Sequence, residues 1–321
     1  MSDSLQSWLQ PALSVMLGDR GTCDIRFSLQ GAYVSDDLAD DLRLLGIDDT
    51  VVTINGSALN ASKEIEEADF VDVSDAALAR IRNRFTAYLE GRGLPRGSTD
   101  LFILDIEGAV SPTHIGGLDQ ERQDAVIEGY KARIREARDV LRTRNVPDVK
   151  LGLYQVIVPD GRGRVTDEFR IRMCGYDSAG RRGMYDGLDY ICPVLYERFG
   201  PDDGDAEQVQ GWIDAATRQA IDSSLTLTRS NGAVIPLCPI LTFWVANSPD
   251  KSQNASDAVS PESMLWQLRT LRRYRAREVA IIVLWAGRED TEGSAKPREP
   301  VDFREFLHSV GELPPPGCIA S

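Results

Sequence analysis

Seven short apolar runs, set between longer amphipathic stretches, constrain this sequence more than any other feature. They are 23–29, 50–56, 101–107, 149–158, 188–196, 234–245 and 278–285. Runs of that length, rich in β-branched and aromatic residues, read as strands buried on both faces. The stretches between them carry helical periodicity. Helices are predicted over 36–45 behind Ser35, over 75–90 behind Ser74, and over 120–144, where Val126, Tyr130, Ile134, Ala137 and Leu141 recur on one face. Further helices are predicted over 205–225, 261–277 and 303–310. Strands alternating with helices build a parallel sheet. The expected fold is α/β, a single (β/α)7–8 TIM-like barrel spanning 21–313. A helical extension, 1–20, precedes it and a tail, 314–321, follows. An open doubly wound sheet is the competing architecture, but no Gly-x-Gly-x-x-Gly turn follows the first run. The Gly- and Arg-rich stretch 159–187 reads as a long irregular loop.

The third run ends in chemistry. In Leu101-Phe-Ile-Leu-Asp-Ile-Glu-Gly108, two carboxylates follow four apolar residues. Residues i and i+2 of a strand share a face, so Asp105 and Glu107 are expected side by side at the carboxyl end of a buried strand. Parallel α/β folds keep their active sites at that end. Two like charges held close push one pKa up, which makes an acid available near neutral pH. Glycoside hydrolysis uses such a pair. An Asp-x-Glu at a strand end also serves as a helix cap or a surface ion-pair partner, and that reading stays open. The turn-rich sequence after it (Gly108, Pro112, Gly116, Gly117) favours a site.

Composition narrows the alternatives. With 321 residues, 42% of them hydrophobic, the chain can bury one large core. No run of 18 apolar residues occurs, so no membrane span is expected. A net charge of −14 argues against nucleic acid as a partner. Five widely spaced cysteines without a Cys-x-x-Cys, and two distant histidines, argue against a zinc site, a disulfide framework and a histidine-based hydrolase. Cys192 and Cys238 are expected as buried thiols. No metal or other cofactor is expected. Met1–Gln10 lacks the basic and apolar stretches of a secretory leader. That predicts an intracellular protein, one released by another route, or a secreted one whose leader has been removed.

Several later runs end on residues suited to a sugar: Tyr154, Tyr196, Trp244 with Asn247 just beyond, and Trp285. Aromatic faces stack on sugar rings and phenol hydroxyls bond their oxygens. Each taken singly also fits a core position. Asn55, at the end of the second run, could reach the site, though Asn55-Gly56 reads more simply as a turn, and His114, in the loop after Glu107, reads as a surface or packing histidine within reach of a ligand. Asp186 and Asp189 lie at the start of the fifth run, the wrong end for catalysis.

In this order the motifs resemble the hyaluronidase family of glycoside hydrolases, which fold as irregular barrels. The resemblance rests on Leu104-Asp-Ile-Glu107, Gly152-Leu-Tyr154 with Pro159, Pro193-Val-Leu-Tyr196, Val234-Ile-Pro-Leu237 and Ile282-Val-Leu-Trp285-Ala-Gly287. It implies that Glu107 is the proton donor and that Asp105 orients the substrate's N-acetyl group. It implies that Tyr154 and Tyr196 position that group and that Trp285 walls the subsite. The implied reaction is retaining and substrate-assisted, on a polysaccharide or oligosaccharide containing N-acetylhexosamine. The chain departs from the family at Gly108, where a further acidic residue is expected, and in lacking matched cysteine pairs. Lysozyme-like or chitinase-like hydrolysis and a non-catalytic carbohydrate-binding barrel remain as alternatives, and oligomeric state is left open. A metal-dependent lyase or aldolase would need a third carboxylate or a strand-end lysine that the sequence does not offer.

Overall fold

The computed structural model describes residues 26–31, 47–48, 51–55, 59, 66–92, 101–106, 108–154, 167–175, 183–196, 204–242, 259–274 and 277–287. The predicted 36–45 and 303–310 helices, the N-terminal extension and the tail lie outside them. The chain divides into two compact units, one formed by 50–194 with 220–238 and the other by the remainder.

The first unit holds a four-stranded parallel sheet in the order β3-β4-β5-β6: β3 (Val51–Asn55), β4 (Leu101–Asp105), β5 (Lys150–Tyr154) and β6 (Tyr190–Cys192). Its helices are α1 (Glu67–Val71), α2 (Asp75–Arg92), α3 (Pro112–Ile115), α4 (Gln120–Thr143) and α5 (Asp167–Cys174). The second unit holds another parallel sheet, β2-β1-β8-β7: β1 (Arg26–Gly31), β2 (Ile47–Asp48), β7 (Ile240–Thr242) and β8 (Ile281–Gly287). With it go α7 (Pro261–Leu271) and most of α6 (Ala206–Leu225), whose residues 220–225 belong to the first unit. Parallel strands joined through helices are the expected α/β architecture. The structure shows it as two four-stranded sheets.

Local chemistry explains the boundaries. Ser74 Oγ accepts from the Ala77 amide at 3.3 Å and starts α2, as its sequence predicts. Asp119 caps α4 through the Arg122 amide, and Ser260 caps α7 through the Ser263 amide. All five apolar positions expected on α4 are buried. They sit in one core with Phe70, Ile81 and Phe85 from α1 and α2 and with the β4 and β5 side chains.

Three expectations fail for identifiable reasons. The run 234–245 is not one strand. Pro236 and Pro239 cannot donate to a ladder, so Val234 makes an isolated antiparallel bridge to Thr228 and Leu237 a parallel one to Ile191. Only Ile240–Thr242 is left as strand among the described residues. The run 188–196 shrinks to Tyr190–Cys192 ahead of Pro193. The stretch 159–187 is not all irregular, since Asp167–Cys174 is helical. In addition α7 ends at Leu271 rather than near 277, closing on Arg272.

One buried charge was not anticipated. Arg133 on α4 is fully enclosed, 3.7 Å above the Phe70 ring, and donates to the carbonyls of Phe70 (2.7 Å) and Gly129 (3.0 Å). Burial pulls its pKa down to about 10. The guanidinium fastens α1 to α4 by donating from α4 to the Phe70 and Asp69 carbonyls in the last turn of α1, which the short helix leaves without helical donors.

Candidate active site

The carboxyl edge of the first sheet is set by register. Asn55 is the paired residue of Asp105, Leu104 pairs with Leu153, and Tyr154 pairs with Cys192. Registered partners in a parallel sheet share a face, as do residues two apart on one strand. Positions 55, 105, 154 and 192 therefore form one row across the sheet, with Leu101, Ile103 and Gly152 behind it on the same face. Asp105 is half-buried at the end of β4, and Tyr154 is buried at the end of β5 beside it. Gly152 leaves room behind this row: a Cβ there would stand 2.6 Å from Cys192 Sγ.

The chain then turns away sharply. Gly108 has φ 84°, a conformation that side chains beyond glycine resist. It opens a 3-10 turn, Gly108–Val110, that leads to Ser111 and α3. Ser111 Oγ lies 2.6 Å from His114 Nδ1, and His114 is exposed. Tyr130 on α4 donates to the Val110 carbonyl at 2.7 Å and holds this turn in place. Its hydroxyl titrates well above the usual range, chiefly through burial, with Tyr185 and the Asp105 carboxylate adding to the effect.

Asp105 and Tyr154 are thus brought together in one unit. Glu107 lies outside the described residues, as do Trp244 and Asn247. Tyr196 and Trp285 belong to the other unit. Tyr196 is half-buried, two residues after the Pro193-Val194 pair, and follows Leu195, whose amide donates to the Ile240 carbonyl and whose carbonyl accepts from Gln267. Trp285 lies on β8, in register with Gln30 and Thr242. Asn55 ends β3, the strand end where its sequence places it, and pairing between two strands sets it opposite Asp105.

Asp186 and Asp189 are structural, as their place at the start of β6 suggests. Asp189 accepts from the Leu151 amide at 2.8 Å and from Arg138, and Asp186 accepts from the Gly183 and Ser230 amides and from Ser230 Oγ. Cys174, Cys192 and Cys238 are buried free thiols. Burial raises the Cys192 thiol well above its ordinary pKa, and the neighbouring Cys238 raises it further. Among the described residues no group of three His, Cys, Asp or Glu could hold a metal ion, and no helix is long and apolar enough to cross a membrane.

The fold defines a class before any relative is named: an α/β chain of parallel strands, with the Asp105 carboxylate at the carboxyl end of β4. No family model and no curated protein matches the sequence. Among solved structures, bee venom hyaluronidase superposes with a TM-score of 0.52 at 12% identity, over 89% of this chain and 99% of that one. Its complex with a hyaluronic acid tetramer gives the same score and identity, over 89% and 97%. A broad-specificity endoglucanase from an uncultured bacterium gives 0.47 at 12% identity over 81% of this chain and 69% of that one, too weak a likeness to carry an argument. At such identity the likeness is one of fold alone.

Proposed function

We propose that this protein is a retaining, endo-acting glycoside hydrolase of N-acetylhexosamine-containing glycans. The observation that carries the reading is Asp105, half-buried at the carboxyl end of β4 with Tyr154 beside it, in a chain with the fold of a glycoside hydrolase. In this reading Glu107 donates its proton to the glycosidic oxygen as the bond to the anomeric carbon breaks. The substrate's acetamido oxygen attacks that carbon from the opposite face, and Asp105 orients the acetamido group and stabilises its developing positive charge. Water then attacks the anomeric carbon, giving its proton to the Glu107 carboxylate. The acetamido group is released and the configuration is retained. Tyr154 positions the acetamido group.

The test is reducing-end release from hyaluronan, chondroitin, chitin oligosaccharides and peptidoglycan by wild type and Glu107→Gln in parallel. Cleavage by wild type and its loss in a folded Glu107→Gln supports the assignment. Equal activity in both refutes the role of Glu107. Absence of cleavage by either, with glycan binding retained in a thermal-shift assay, replaces the enzyme with a carbohydrate-binding barrel.

A further inference from the structure

The opposite edge of the first sheet carries a second feature. A cleft of about 490 Å³ opens between the C-terminal half of α4 and two turns, Gly183–Gly187 and Arg229–Asn231. Arg138 marks its place: it donates to the carbonyls of Val149, just before β5, and of Gly187, just before β6. The cleft therefore lies at the amino ends of β5 and β6, whereas Asp105 lies at the carboxyl end of β4.

Its charge runs against that of the chain. Five cations line it, Lys131, Arg135, Arg138, Arg142 and Arg229, against two carboxylates, Asp139 and Asp186, in a protein of net charge −14. Four of the five stand at i, i+4, i+7 and i+11 on α4, one stripe of like charges in which Lys131 is already paired with Glu128 and Arg138 with Asp189. Asp186 is already engaged, both of its oxygens accepting from the Gly183 amide or from the Ser230 amide and hydroxyl. Those bonds fix the turn that presents Arg229. One nitrogen of Arg229 donates to the Leu188 carbonyl at 2.8 Å, and no carboxylate among the described residues pairs with it. Arg135 stands 3.8 Å from Glu136, whose other oxygen is held by Arg82 at 2.8 Å. Among the described residues Arg142 pairs only with Asp139, both exposed, an ion pair that a stronger anion can displace. The buried side chains of Ile134 and Met184 give the cleft an apolar lining.

We infer that this cleft binds a small organic anion of charge −2 or more, such as a phosphate monoester, held by Arg229, Arg135 and Arg142. Guanidinium forks match the oxygens of phosphate and related anions in paired hydrogen bonds. The volume is that of a small-molecule site, roughly 300–1,000 Å³. The overall negative charge disfavours an extended polyanion, which would need a long basic track. The binding is independent of the reaction at Asp105 and Glu107.

Isothermal titration of the full chain with inorganic pyrophosphate, glucose 6-phosphate and, as the neutral control, glucose tests it. Saturable binding of glucose 6-phosphate is expected, with none of glucose. Pyrophosphate binding as tightly as the sugar phosphate assigns recognition to the phosphate alone; tighter glucose 6-phosphate binding assigns part of it to the sugar body. Arg229→Gln and the Arg135→Gln/Arg142→Gln double variant each weaken binding about tenfold, and raising ionic strength from about 0.05 to about 0.3 M weakens it further. Glu107→Gln leaves it unchanged. The double variant alters two exposed side chains and keeps the test valid if Arg229→Gln misfolds. Absence of binding, binding insensitive to the double variant, or retention of heparin but of neither small anion overturns the inference.

Discussion

Replacing Gly152 by alanine puts a methyl group where the sheet has none to spare. The new Cβ would lie 2.6 Å from Cys192 Sγ, 3.4 Å from Leu101 Cδ1 and 3.7 Å from Tyr190 Cβ. Carbon and sulfur pack at about 3.5–4.0 Å, so roughly 1 Å must be found. Cys192 is fully buried against Cys238 and cannot swing into solvent. Overpacking of this kind costs about 1–3 kcal/mol. The lower chain entropy of alanine returns about 0.5 kcal/mol of it. Cys192→Ala alone removes one buried sulfur, at about 1 kcal/mol. Combined, the methyl group fills the space the sulfur leaves, so the double variant should be more stable than the two separate losses imply, by about 1–2 kcal/mol. Urea unfolding followed by far-UV circular dichroism measures each midpoint, with the slope checked for constancy. Additivity within about 0.5 kcal/mol would refute the packing argument, and with it the placing of positions 152 and 192 on one face of the row that ends at Asp105 and Tyr154.

Other outcomes follow from the same geometry. Gly129→Ala would set a Cβ 2.5 Å from the Phe70 carbonyl, rigid backbone held by Arg133, and should destabilise by about 3 kcal/mol or more, read as a lowered denaturation midpoint. Asp189→Ala leaves the Leu151 amide without its acceptor and Arg138 without its carboxylate and should cost about 2–3 kcal/mol in thermal unfolding, while under the proposed function turnover per folded molecule stays as in wild type. Burial raises the folded-state pKa values of Tyr130 and Tyr185 above the ordinary value of about 10. Their contribution to stability is complete below that pH and is lost as the pH climbs beyond it. An alkaline titration should therefore show at least two of the nine tyrosines ionising only together with loss of circular dichroism. Gradual ionisation of all nine in the folded protein would contradict their burial.

Much of the architecture is written in periodicity. The face of α4, the cap at Ser74 and the strand Leu101–Asp105 follow from local spacing, because a helix or strand must turn its apolar side to whatever core exists. Asp105 at a strand's carboxyl end was equally legible, since an apolar run that stops in carboxylates announces its own terminus. Pro236 and Pro239 also carried a readable signal against a single strand over 234–245.

Only the tertiary structure decided what depends on distant partners. The row linking Asn55, Asp105, Tyr154 and Cys192 comes from parallel register, which joins residues about 40 to 50 apart through strand hydrogen bonds that leave no trace in any one segment. The enclosure of Arg133 depends on Phe70, and the anion cleft on turns from 183–187 and 229–231 meeting a helix stripe whose arginines look, in sequence, like an ordinary solvated face. Local pattern fixes which side of an element faces inward; which residues then meet is a property of the packed chain, where each contact is chosen by the global arrangement that satisfies most of them together.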